Sequence, residues 1–189
     1  MKKKNAQKLL EAAEIELITN NGLLEISGVA ARAEVSVGLA YHHFGSKTGL
    51  ISAVVDNFYT PLRKIAFGDA IAPDLPWLER EKKRTSALIE YYYSHPLAKL
   101  ITGRLARESE VLDIEQSHMN AMLVEGARNV AQGQRLGVVN SHLDPKSTVA
   151  MLLGGITLAI QFAIQSDDRP SKEILLKQIW LFCENGLRG

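Results

Sequence analysis

Apolar positions recur three and four residues apart along nearly the whole chain, and no segment keeps the strict alternation of a half-buried strand. The predicted fold class is therefore all-α. Leu10, Ala13, Leu17 and Ile18 form one stripe of a first helix, which Asn21-Gly22 can close in a left-handed cap. Leu50-Ile51, Val54-Val55, Phe58, Leu62 and Ile65 mark a long amphipathic helix with Ser46 as its N-cap. The stretch Pro73 to Pro76 interrupts the pattern, and Pro76 suits the first position of a helix running to about His95-Pro96. Helices are expected over 97–107 and 113–136. Asp144-Pro145 opens another that reaches about Gln165, and Ser171 caps a last one ending near Asn185-Gly186.

Short helices with tight turns precede Lys47 and long helices follow it, so the expected division is 1–47 and 48–189. Within the first part, residues 27–47 (SGVAARAEVSVGLAYHHFGSK) read as two short helices separated by a tight turn. Val29, Ala30 and Ala33 give the first an apolar face, and the two alanines permit a close helix crossing. Val35 fills the turn, Ser36 can cap the second helix, and Leu39 or Ala40 with Phe44 can point inward. Val37, Gly38, Tyr41 and His42 or His43 are left facing outward. Spacing alone fits an ordinary helical hairpin with a Tyr-His-His surface as well as a helix-turn-helix that faces a DNA groove.

The run Val29-Ala30, Ala33-Glu34-Val35-Ser36, Gly38, Tyr41, His43-Phe44 and Ser46-Lys47 resembles the TetR family of bacterial transcriptional regulators, whose DNA-binding pattern reads roughly IA..AGVS.GTLY.HF.SK..L. The resemblance covers about the first 50 residues. It implies an N-terminal three-helix helix-turn-helix domain for DNA and a larger helical body for effector binding and dimerisation. It further implies a homodimer joined through the last two long helices, acting on a palindromic double-stranded operator. Carried over by position, Ser36, Tyr41 and Lys47 would contact phosphates. Val37, Gly38 and His42 would lie at base edges, with His43 nearby. Lys2, Lys3 and Lys4 would form a basic arm. The sequence departs from the pattern at Glu34, where the family has glycine, so a left-handed residue costing about 1 kcal/mol is expected there. Leu39-Ala40 reverses the usual order of small and apolar residues. Ser27 is expected to cap a shortened second helix, and Thr48-Gly49 leaves the next helix without a capping box.

Net charge adjusts this picture only slightly. Lys and Arg total 22 against 21 acidic residues, so any DNA-binding charge must be local. The single cysteine, Cys183, excludes a disulfide framework and a cysteine zinc site, which fits a reducing, cytoplasmic setting. It is expected to be a buried, inert thiol. No secretory apolar core follows Lys2-Lys3-Lys4, because Glu11, Glu14 and Glu16 interrupt it. The apolar run 149–164 carries Thr157 and Gln161 and is expected to be a buried helix rather than a membrane span.

No catalytic, cofactor or metal-binding constellation is legible: His95, His118 and His142 lie on different expected elements. The rival enzyme reading is therefore set aside. Tyr91-Tyr92-Tyr93 span about 200° of a helix, so at least one must reach the interior. With Phe58, Trp77, Met119 and Met122, Tyr91 and Tyr92 either line an apolar effector pocket or serve packing. The basic residues Arg80, Lys82, Lys83 and Arg84 are expected on exposed faces. The predicted function is a ligand-responsive transcriptional repressor released by a small hydrophobic or aromatic effector. The alternative is a DNA-binding architectural or division-linked protein without a small inducer. Double apolar stripes on the last long helices, Leu152, Ile156, Ala159 and Ala163 beside Leu153, Ile160 and Ile164, are the expected basis of the dimer.

Overall fold

The computed structural model describes residues 2–68, 71, 74–105 and 109–188. Among the described residues the regular structure is helical: α1 (Lys2–Thr19), α2 (Ile26–Arg32), α3 (Val37–Phe44), α4 (Lys47–Phe67), α5 (Trp77–Ser94), α6 (Ala98–Ile101), α7 (Ser109–Arg135), α8 (Pro145–Gln165) and α9 (Lys172–Arg188). Pro73, Arg107 and Glu108 lie outside the described residues, as do the side chains of Lys2 and Lys3. The expected caps form. Ser36 accepts from the Leu39 amide at 3.2 Å, Ser46 from Gly49 at 2.9 Å, Asp144 from Ser147 at 2.8 Å and Ser171 from Ile174 at 3.3 Å. Asp144 is held below the ordinary aspartate range, chiefly by the Ser147 amide. Asn21 (φ 50°) and Gly22 (φ 88°) close α1 in left-handed geometry. Pro76, expected as a first helical residue, instead precedes Trp77 as the N-cap of α5.

The chain forms two compact units. One unit runs through Thr60 and takes in Pro96–Gln116; the other holds Pro61–His95 and the chain from Ser117 onward. The first crossing falls inside α4, at Pro61. Proline lacks the N–H that would bond four residues back, so the helix loses a rung there.

In the first unit Leu9, Ala13, Leu17, Leu24, Val29, Ala30, Ala40 and Leu50 are buried almost completely. Each leucine so buried contributes about 1.5–3 kcal/mol. The α1 stripe is rotated from the expected one: Leu9 faces in, Leu10 is half-buried, and Ile18 is exposed. Buried Glu16 sits in that stripe because Gly28 leaves room; a Cβ at Gly28 would lie 2.6 Å from its Oε1. Asn20 Nδ2 donates to Glu16 at 2.8 Å, and Arg32 lies 3.7 Å away. Ser27 does not cap α2; Glu25 precedes the helix without a side-chain bond. Arg104 Nη1 donates to the Asn21 carbonyl at 2.5 Å, tying the chain after α6 to the end of α1.

The second unit packs α5, α8 and α9 against one another. Its core joins Trp77, Met122, Val130, Val139, Val149, Leu153 and Leu187. Gly126 permits close approach of α8, since a Cβ there would fall 2.2 Å from a Val149 methyl. By length and composition α8 could cross a membrane. In the fold it buries Val149, Leu153, Ile160, Ala163 and Ile164.

Candidate nucleic-acid interface

The turn between α2 and α3 is three residues long in its tightest part, and its geometry follows from residue types. Glu34 takes φ 57°, the left-handed conformation expected where the family carries glycine. Its amide donates to the Ala31 carbonyl at 3.2 Å and that of Val35 to Ala30 at 3.0 Å, so the end of α2 is satisfied. Val35 is half-buried beneath the turn, and Ser36 then starts α3. Gly45, at φ 74°, ends α3 and leads into Ser46 and α4.

Ala40 is 1% exposed and fixes the inward side of α3, with Leu39 and Phe44 half-buried. Val37, Gly38, Tyr41 and His42 stand on the outward side, at the i, i+1, i+4, i+5 positions of one helix face. Val37 is 42% exposed and Tyr41 48%, and Ser36 and Lys47 flank the face in solvent. His43 differs from its neighbour. It is half-buried, and its Nε2 is enclosed without a hydrogen-bond partner. Its ring sits between those of His42 (5.7 Å) and Phe44 (6.1 Å). The structure therefore brings six of the seven expected DNA-facing residues to solvent and turns the seventh inward. Exposed Lys4 is the one described side chain of the expected basic arm.

The family model "Bacterial regulatory proteins, tetR family" matches residues 9–54, the segment that holds α1, the α2–turn–α3 unit and the start of α4. Residues 9–54 are thus a DNA-binding segment of the TetR family type. No curated protein matches the chain in sequence. Solved structures share the fold across nearly the full length. GusR of Salmonella enterica aligns at TM-score 0.78 with 17% identity, covering 98% of this chain and 96% of that one. FadR of Bacillus subtilis, solved with stearoyl-CoA, aligns at 0.76 with 17% identity, covering 96% and 98%. A Syntrophomonas wolfei protein described as a TetR-family transcriptional regulator aligns at 0.80 with 14% identity, covering 98% and 95%. Likenesses at this identity establish the all-α fold of this chain. Regulators of this family bind DNA operators and act as dimers.

The second unit contains a cavity of about 70 Å³, walled by Phe67, Trp77, Val149, Leu153, Ile156 and Trp180 among others. Of the six residues expected to bind an effector, Trp77 alone lines it. Phe58 is fully buried in the first unit, while Met122 and Met119 belong to the core beside Trp77. The cavity follows Trp77, Glu81, Arg84, Thr85 and Leu88 along α5 and stops at Leu88, one turn short of half-buried Tyr91 and buried Tyr92. Tyr93 instead donates to the Pro170 carbonyl at 3.0 Å, with Arg169 stacked 3.7 Å from its ring centre. Cys183 lines the same cavity, its thiol pushed up to about 11 by burial, which keeps it protonated and unreactive.

Sequence reading missed the polar side of this cavity. Lys82 and Lys83 are exposed as expected, but Arg84 turns inward and pairs with Glu81 at 2.6 Å. The signal available was their i,i+3 spacing, which also occurs on solvated faces.

Proposed function

We propose that this chain is a ligand-responsive repressor of the TetR family that binds a palindromic operator as a cytoplasmic homodimer. The observation that carries the DNA-binding half is the outward face of α3. There an N-capped helix presents Val37, Gly38, Tyr41 and His42 while Ala40 anchors its back. Ser36, Tyr41 and Lys47 contact phosphates, and Val37, Gly38 and His42 read base edges, with His43 supporting the ring of His42 from behind. A hydroxyl, a phenol and an ammonium beside a helix start suit phosphate oxygens, which carry no sequence information.

The dimer forms through α8 and α9. Support comes from a stripe that leaves large apolar side chains in water: Met151, Leu158 and Phe162 on α8, continued by Ile174, Leu181 and Phe182 on α9. Gly154 and Gly155 have open space above them on the same helix, allowing a partner backbone to come close. This face is not either of the stripes expected from sequence. Ile160 and Leu153 are core, and Ile156 lines the cavity. Two such faces related by a twofold axis would close a four-helix bundle.

Effector binding in the apolar cavity of the second unit favours a conformation of the dimer whose recognition helices no longer fit successive major grooves, about 34–36 Å apart. The test is titration of a randomised palindrome library with the purified protein, at several salt concentrations, with and without candidate effectors. Tight, salt-sensitive binding that a small apolar molecule weakens supports the proposal. Binding indifferent to every small molecule would favour the architectural alternative.

A further inference from the structure

The cavity of the second unit is apolar on most sides, but one wall carries a hydrogen-bonded relay. Trp77 Nε1 donates to Asn129 Oδ1 at 3.2 Å. An indole N–H only donates, so the Asn129 oxygen is fixed toward Trp77 and its NH2 group faces the Glu81 carboxylate, to which it is bonded. Glu81 also accepts from Arg84 Nη1 at 2.6 Å. The Thr85 hydroxyl is used locally, donating to the Glu81 carbonyl at 2.9 Å. One buried donor of this wall has no partner: Arg84 Nε, on a residue that lines the cavity. The relay holds that guanidinium in place, so Nε is a pre-set donor in the wall of an apolar chamber, reached by a ligand oxygen that displaces the atoms covering it.

Charge decides what it can receive. Glu81 already neutralises Arg84, and a ligand carboxylate would set a second anion beside it in desolvated surroundings. Burial first, opposed by Arg84, already holds the Glu81 carboxyl above its ordinary range. Size decides the rest. At about 70 Å³ the chamber is roughly half the ~150 Å³ of an apolar cavity that takes benzene, so its ligand is compact. Anything larger has to spread the helices that wall it.

We propose that this cavity binds a compact, uncharged molecule with an apolar body and one oxygen acceptor of carbonyl type, a ketone, ester or amide, that accepts a hydrogen bond from Arg84 Nε. This names the chemical class of the effector and rests on the effector reading given above.

Both tryptophans of the chain, Trp77 and Trp180, line the cavity, so intrinsic fluorescence reports its occupancy directly. Three probes of similar shape separate the alternatives: cyclopentanone, cyclopentane and cyclopentanecarboxylate. The ketone should give a saturable change with a dissociation constant about tenfold or more below that of the hydrocarbon, the value of one hydrogen bond to a charged donor. The carboxylate should bind no better than the hydrocarbon. Arg84→Met should erase the ketone's advantage. Glu81→Gln, a near-isosteric change that keeps the relay's shape, should make the carboxylate the tightest ligand because Arg84 is then unbalanced; it serves also if Arg84→Met does not fold. Equal binding of ketone and hydrocarbon, a carboxylate preference in the unmodified protein, or no saturable signal from any probe would overturn the proposal. So would a ketone advantage that survives Arg84→Met. These arms contain no DNA. Should cyclopentanone bind as stated yet leave operator affinity unchanged at saturation, the cavity's chemistry stands and the effector-release reading falls.

Discussion

Two surfaces of this protein leave apolar side chains in water, and they differ in kind. On α3 the exposed apolar groups are Val37 and Tyr41, each about half covered and set among Ser36, His42 and Lys47. On α8 and α9 they are larger and barer: Phe162 is 77% exposed and Phe182 75%, with Met151, Leu158 and Leu181 in the same stripes. The first mixture can meet a polar, charged groove, where methyl and phenol groups fit beside hydrogen-bonding ones. The second can be satisfied by another apolar face, and a patch of this size is one that soluble monomers rarely carry. Exposure of hydrophobic residues is thus informative through its neighbours.

The comparison can be broken most severely by salt. If α3 meets DNA and the dimer makes roughly 6–10 phosphate contacts, operator affinity should fall about 10³–10⁵-fold between 50 and 200 mM salt, while the dimer constant changes little. A fluorescence anisotropy titration with labelled operator, run beside sedimentation at both salts, measures the two together. A flat salt response would remove α3 from DNA.

Next in size is the apolar face. Phe162→Asp should weaken dimerisation by about 3 kcal/mol or more, some hundredfold, as expected for a charge at a buried aromatic anchor. Sedimentation equilibrium at micromolar concentration would show a folded monomer, and operator binding should fail with it. Ile160→Asp should instead unfold the second unit, because Ile160 is fully buried.

Substitutions on α3 sharpen the contrast further. Lys47→Ala should reduce the salt slope by about 1 per site, and Tyr41→Phe should weaken binding to all sequences by about tenfold or less. His42→Ala should shift the preferred base in a selection from a randomised operator. His43→Ala should shift it less, since its Nε2 is enclosed. Equal shifts for both histidines would show that α3 is rotated on DNA from the face described.

The smallest effect lies in the turn. Glu34→Gly relieves a left-handed non-glycine residue costing about 1–2 kcal/mol but loosens the unfolded chain by about 0.4–1 kcal/mol, leaving a gain near 0.5–1 kcal/mol. Thermal denaturation should show a melting point raised by a few degrees. A lower one would mean that Glu34 makes a stabilising contact.

What the sequence determined by itself was everything set within a few residues. The caps at Ser36, Ser46, Asp144 and Ser171, the left-handed Asn21-Gly22 and Glu34, and the outward set on α3 all depend on side chains reaching their own backbone or on one helical face. The family pattern was legible for the same reason, since it is confined to that compact segment. Which of two adjacent stripes faces inward was not legible. On α1, Leu9 and Leu10 lie only about 100° apart, and packing with α2 and α3 decides that Leu9 is buried and Ile18 exposed. On α8 more than one face is apolar, so periodicity cannot separate the core side from the exposed one; packing in the second unit buries Leu153 and Ile160 and leaves Leu158 and Phe162 bare. The cavity was equally hidden. Glu81 and Arg84 look like a solvated pair in one dimension, and only the approach of α7, α8 and α9, with Asn129 fixing Glu81, turns them into the polar wall of an apolar chamber.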